Sequence, residues 1–111
     1  MDKCLFCSIA NGNGTKVFEN DEMVIIKDIA PQAKLHYLAI SKAHYDDIVD
    51  LATHNGDLLK NIFIVIAENA DKLGLKEGFR IITNKGENGC QSVKHIHSHI
   101  LGGEKLSEKM G

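Results

Sequence analysis

From Gly56 to Leu73, apolar side chains recur every three or four positions, at Leu58, Leu59, Ile62, Phe63, Ile66, Ala70 and Leu73. That spacing gathers them on one face and predicts a helix lying on a sheet. Gly74, directly after it, suits a helix carboxyl cap. Elsewhere the period shortens. "KVFEN" and "EMVIIKDI" are β-branched and aromatic runs separated by Asn20 and Asp21, which predicts a hairpin. Beyond Pro31, "KLHYLAIS" sets His36, Leu38 and Ile40 on one face and Leu35, Tyr37 and Ala39 on the other, a third strand. "FRIITN" and "VKHIHSHIL" are the fourth and fifth, joined by the loop "KGENGCQS". A short helix over the first ten residues, stopped by Gly12 in the turn "NGNG", and a helical turn from Tyr45 to Leu51 complete the pattern. The expectation is one α+β domain over residues 1–111: an antiparallel sheet of about five strands with one long and one short helix.

Composition narrows this by exclusion. A chain of 111 residues, 43% hydrophobic and 25% charged, can bury a modest core without disulfides. A formal net charge of -2 and the lack of a basic run argue against nucleic acid as a partner. "IFIVIA" is too short to span a bilayer, and the start "MDKCLFCSIANGNG" lacks the charged-then-apolar pattern of a signal peptide. A cytoplasmic protein without a membrane partner is expected, its three cysteines reduced or bound to metal.

"KHIHSHILGG" concentrates the candidate chemistry. Strand alternation puts His95, His97 and His99 on one face and Ile96, Ser98 and Ile100 on the other. The row can be read as a polar half-exposed face, as metal ligands, or as a nucleophilic histidine with orienting neighbours. Polar strand faces ordinarily mix Thr, Lys and Glu rather than repeat His. Side chains in a straight row diverge and do not converge on one ion at about 2 Å, so at most two could share a metal. An imidazole with a pKa of about 6.5 is suited to covalent catalysis near neutral pH. Ahead of the strand, the glycine loop offers backbone N–H groups and the Ser92 hydroxyl, a setting for an anion.

"QSVKHIHSHIL" resembles the histidine-triad (HIT) signature, and "LFCSI", "KDIAPQAKLHYLAISKAH", "DKLGLKEGFRIITNKGENG" and "LGG" are similar to the family's other segments in order and spacing. The likeness covers nearly the whole chain and is closest to the Hint-like branch of nucleoside phosphoramidases. It implies a HIT-like fold, a homodimer, and a purine ribonucleotide partner, an AMP or GMP derivative. By the resemblance His97 is the nucleophile that attacks the α-phosphorus and carries the nucleotidyl group until water removes it. His99 contacts the phosphate and assists the leaving group, and His36 and His95 complete the cluster. Ser92 and Asn84 match residues at the phosphate and leaving nitrogen, Asp28 the acidic residue that receives the ribose hydroxyls, and Ile29, Phe6 and Ile9 the apolar purine slot. Read without the family, Asp28 is a strand-ending turn residue. Two departures stand out: Cys90 where the branch usually has glycine, and "EKLSEKMG" in place of an aromatic, proline-bearing tail.

Cys4 and Cys7 have the spacing of half a zinc site. They can equally be two small apolar side chains on the first helix; a redox pair lacks the βαβ context it would need. The resemblance is to bacterial members that complete a zinc site with His44, from "SKAH", and His95. That implies zinc as a structural cofactor. His54, in "LATHNGD", reads as solvated. Two other functions compete with the phosphoramidase: a dinucleoside polyphosphate hydrolase of the same superfamily, and a non-catalytic nucleotide-binding or scaffold protein.

Overall fold

The computed structural model describes residues 4–110. Its elements run α1 (Leu5–Asn11), β1 (Phe18–Glu19), β2 (Met23–Lys27), β3 (Leu35–Ser41), α2 (Ile48–His54), α3 (Gly56–Asn69), β4 (Phe79–Ile82) and β5 (His97–Gly102). The strands form one antiparallel sheet in the order β1-β2-β3-β5-β4. The expected sheet is present; the described helices are one long and two short, rather than one of each. Residues 1–3 of the expected first helix lie outside the described residues.

The alternation of β3 separates two cores. Tyr37 and Ala39 join Met23, Ile25 and Ile100 beneath Leu51, Leu58, Ile62 and Ile66 of the helices. On the opposite face Leu38, Ile40 and Val24 pack under Phe6 and Ala10 of α1. Ile25, Ile40 and Ile100 are 0% exposed, and burial of each contributes about 2 kcal/mol. The long helix α3 and the short α2 thus fill one side of the sheet. Among the described residues the helix on the other side is the seven-residue α1, and it is the face on which His36, His97 and His99 stand.

Several boundaries differ from the sequence pattern, each for a local reason. The fifth strand starts at His97, because Ile96 N–H donates to the Tyr45 carbonyl, 2.7 Å, outside the sheet ladder, and His95 N–H to Val93, 2.9 Å. His95 therefore precedes the strand. The second helix begins three residues after Tyr45, where the Asp47 carboxylate caps it by accepting the Asp50 N–H. Regular helix ends at Asn69, but the chain keeps turning to Gly74, whose φ of 83° admits the closing bonds Leu75 N–H to Ala70 O and Gly74 N–H to Asp71 O. The buried Tyr37 hydroxyl donates to Leu73 O at 2.7 Å. Phe63, expected in the core, is 49% exposed; Val65 is buried in its stead. At ~100° per residue Phe63 has rotated past the edge of the apolar stripe.

Candidate active site and metal centre

β3 and β5 place the histidines as neighbours. Leu38 pairs with His99 and Ile40 with His97, so His36, one step along the same face of β3, lies diagonal to His99. Nε2 of His36 is 2.9 Å from Nδ1 of His99. The ring centroids of His97 and His99 are 5.3 Å apart.

Hydrogen bonds to groups of fixed polarity settle the tautomers. Nδ1 of His97 lies 2.7 Å from the His95 carbonyl, which only accepts, so Nδ1 bears a hydrogen and in the neutral ring Nε2 is the nitrogen with the lone pair. His97 is 4% exposed. Among the described residues nothing hydrogen-bonds its Nε2 and no fully buried side-chain nitrogen or oxygen lacks a partner, so its solvent-facing sliver includes Nε2. Thr83 steadies the strand by donating to the His97 carbonyl at 2.8 Å. The ring of Phe6 meets that of His97 edge-on at 4.7 Å.

His36 is fixed from the backbone. The Gln32 N–H donates to its Nδ1 at 3.0 Å, which leaves its hydrogen on Nε2, aimed at His99. Asp28 Oδ2 stands 3.4 Å from the same Nε2. Asp28, His36 and His99 have the proximity of a metal site, but a His36 Nε2 that carries hydrogen cannot be a ligand. The three form a proton-bearing chain. Burial holds His99 below the ordinary histidine pKa, helped by His97 and His36 and opposed by Asp28.

Cys4, Cys7, His44 and His95 form a second group, their donor atoms all within 4.8 Å of one another. Nδ1 of His95 is 3.3 Å from both sulfurs, and Nδ1 of His44 is 3.3 Å from Cys7 Sγ. The nitrogen–sulfur edge of a tetrahedral site with bonds of about 2.0 and 2.3 Å is roughly 3.5 Å. Each imidazole turns its other nitrogen to an acceptor: His95 Nε2–H donates to Ser41 O at 2.8 Å, and His44 Nε2–H to Asp46 Oδ1 at 3.0 Å. Both Nδ1 lone pairs therefore face the sulfurs, the outer support that metal-binding histidines need. Burial lowers the pKa of His95 against the pull of the Ser41 carbonyl, which favours the neutral ligand form. Burial alone would raise Cys4, but the Cys7 N–H and thiol and His44 outweigh it and stabilise the thiolate. Cys7 is pushed up to about 11 by burial and by the neighbouring sulfur, so metal binding there releases a proton. The residues fit a metal ion.

The other expected residues are less tightly assembled. Ile9 and Ile29 line one cleft of about 400 Å³ with Ile26, Ile29 fully exposed, whereas Phe6 is buried beside His97. Asn84 donates to Gly89 O at 2.7 Å and so braces the glycine loop. Ser92 is exposed and borders a cleft of about 480 Å³ with Cys4, His44, Asp46 and Lys94. Cys90 keeps a glycine-like backbone, φ 58°, so the loop retains its turn with a side chain added. His54 is exposed beside Asp50. Sequence reasoning missed Gln32, Ser41, Asp46 and Thr83. Asp46, two residues beyond His44, was the one detectable by spacing; the others act through backbone atoms or at a distance along the chain.

Comparison with known proteins agrees with this geometry. Residues 3–111 match the family model described as scavenger mRNA decapping enzyme C-term binding. The chain is 41% identical over 104 residues to protein HitA of Neisseria gonorrhoeae, covering 92% of this chain and 97% of that protein. A histidine triad protein from Clostridium difficile superposes with a TM-score of 0.89 at 40% identity, covering 98% and 99% of the two chains. A HIT family hydrolase from Legionella pneumophila gives 0.89 at 39%, covering 98% and 100%. The histidine row, the sheet that carries it and these likenesses together show that the chain belongs to the histidine-triad family.

Proposed function

We propose that this protein is a Hint-like purine nucleoside phosphoramidase. The observation that carries the reading is the tautomer of His97: a neutral imidazole with an accessible Nε2 lone pair needs no base before it attacks. In the first step Nε2 bonds to the α-phosphorus of a nucleoside 5′-phosphoramidate, the P–N bond breaks, and the departing nitrogen takes its electron pair and a proton from Nε2 of His99. In the second, water gives a proton to the vacated Nε2 of His99 while its oxygen displaces His97 from phosphorus, and the nucleoside monophosphate leaves. His36 orients His99, while Ser92 and the loop braced by Asn84 hold the phosphate oxygens. Asp28 receives the ribose hydroxyls, and Ile9, Ile29 and the edge of Phe6 take an adenine or guanine. The Legionella neighbour's description as a hydrolase supports the reaction class.

Zinc is the metal that suits two thiolates and two imidazoles, held by Cys4, Cys7, His44 and His95. It would contribute stability and pin α1 to the segment before β5.

The dinucleoside polyphosphate reading differs in its leaving group, a phosphate that departs without added protons. A proton donor beside the nucleophile, His99 with its ring 5.3 Å from that of His97, favours the amine, which leaves with an added proton. Steady-state hydrolysis tests this: adenosine or guanosine 5′-phosphoramidate is expected to turn over at least about tenfold faster, by kcat/KM, than the diadenosine polyphosphates. The reverse order would reassign the substrate, and tight nucleotide binding without turnover of either would support a scaffold.

A homodimer fits the exposed apolar groove of Leu59, Phe63 and Ile64 on α3 and the exposed Phe79 on the edge strand β4. Sedimentation velocity at micromolar concentration is expected to give a dimer mass that Phe63→Glu reduces; a monomeric wild type would contradict it.

A further inference from the structure

Asp28 is engaged at both oxygens before any substrate arrives. Oδ1 accepts the Ala30 N–H at 2.8 Å, in the turn that ends β2. Oδ2 faces Nε2 of His36 at 3.4 Å, the two side chains 15% and 4% exposed. The hydrogen on that Nε2 has two acceptors in reach, Nδ1 of His99 and the carboxylate. While His99 carries its hydrogen on Nε2 alone, its Nδ1 accepts. Once His99 is protonated, Nδ1 bears a hydrogen as well, and two N–H groups confront each other across 2.9 Å. The carboxylate is the acceptor at hand, since the Asp28, His36 and His99 atoms lie within 4.8 Å of one another. Of the groups around the pair, His97 on β5 is also titratable, whereas Ile82, opposite His99 on β4, carries no charge.

We infer that Asp28 is a positioning residue for the proton donor: by accepting the His36 N–H, it lets His99 hold the proton that the leaving nitrogen receives. The inference rests on the phosphoramidase reading and gives Asp28 a role besides ribose binding. The proton count closes. His99 passes its Nε2 hydrogen to the departing nitrogen and keeps the one on Nδ1, the attacking water then returns a proton to that Nε2, and His36 keeps its own hydrogen throughout. Of the neighbours acting on His99, Asp28 is the one that favours its protonated form.

Asp28→Asn separates the two roles, because the amide oxygen can still accept the Ala30 N–H while the charge is lost. With 2′,3′-dideoxyadenosine 5′-phosphoramidate, which offers no ribose hydroxyls, the variant is expected to lose about tenfold or more in kcat. The alkaline limb of its kcat profile moves to lower pH, and in the resting protein the NMR titration of His99 does the same. With the ribonucleotide substrate KM rises as well. Wild-type kcat on the dideoxy substrate together with an unchanged His99 titration would overturn the inference. If the wild-type protein turns over neither substrate, the phosphoramidase reading fails, and an unmoved His99 titration then overturns the Asp28 link by itself.

Discussion

His97→Ala is expected to reduce turnover of adenosine 5′-phosphoramidate by about four to six orders of magnitude, the scale on which removal of a covalent nucleophile acts. The fold should survive. His97 is buried at the start of β5, but its ring makes one hydrogen bond, to the His95 carbonyl, and edge contacts with Phe6 and His99. Truncation costs packing on the order of 2 kcal/mol, as other buried large-to-small changes do. Circular dichroism and nucleotide binding close to wild type would assign the lost activity to chemistry. Turnover within tenfold of wild type would mean that another group attacks phosphorus. His99 is not an obvious substitute, because its Nδ1 is already engaged by His36.

Loss of the metal site has the second large effect expected. Protein prepared without chelator should contain about one zinc per chain, and Cys4→Ser should lower Tm by roughly 10 °C, equivalent to a loss of about 2 kcal/mol in a domain of this size. The cost is bounded because the main core, under α2 and α3, does not include the cysteines. Activity should fall alongside stability. Phe6 lies between the two cysteines in sequence and against His97 in space, and the carbonyl that sets the His97 tautomer belongs to His95. Slackening at the metal centre therefore reaches the nucleophile by two short routes. Metal analysis that finds none in such protein, or a Cys4→Ser variant that melts with the wild type, would contradict the assignment.

The parts of this site that were legible in the sequence are those that follow from strand alternation. Leu38 and Ile40 against Tyr37 and Ala39, and Ile100 against His97 and His99, sort onto opposite faces as their period-two pattern requires. His95 reached the correct face for a different reason than the pattern implied: it precedes the strand, and its ring is turned toward the cysteines by the Ser41 carbonyl. Nothing in residue type announces a main-chain donor or acceptor, so Gln32, which donates its N–H, and Ser41 and Tyr45, which accept at their carbonyls, are invisible in the sequence. Asp28 was read in two ways, as turn residue and as site residue, and the two carboxylate oxygens divide that work: one holds the Ala30 turn and the other faces His36. The apolar period of α3 located the helix but assigned Phe63 to the core, because a spacing of three or four tolerates a residue at the edge of the stripe.

The account depends most on a bond between phosphorus and Nε2 of His97. Rapid acid-free quenching of wild-type protein mixed with adenosine 5′-phosphoramidate, followed by peptide mass spectrometry, reads it directly. The expected result is one adenylyl group localised to His97 by fragmentation of its peptide, appearing before free AMP and decaying as AMP accumulates. Full turnover with that peptide unmodified at every time point, or with the label on His99 or His36, would contradict it.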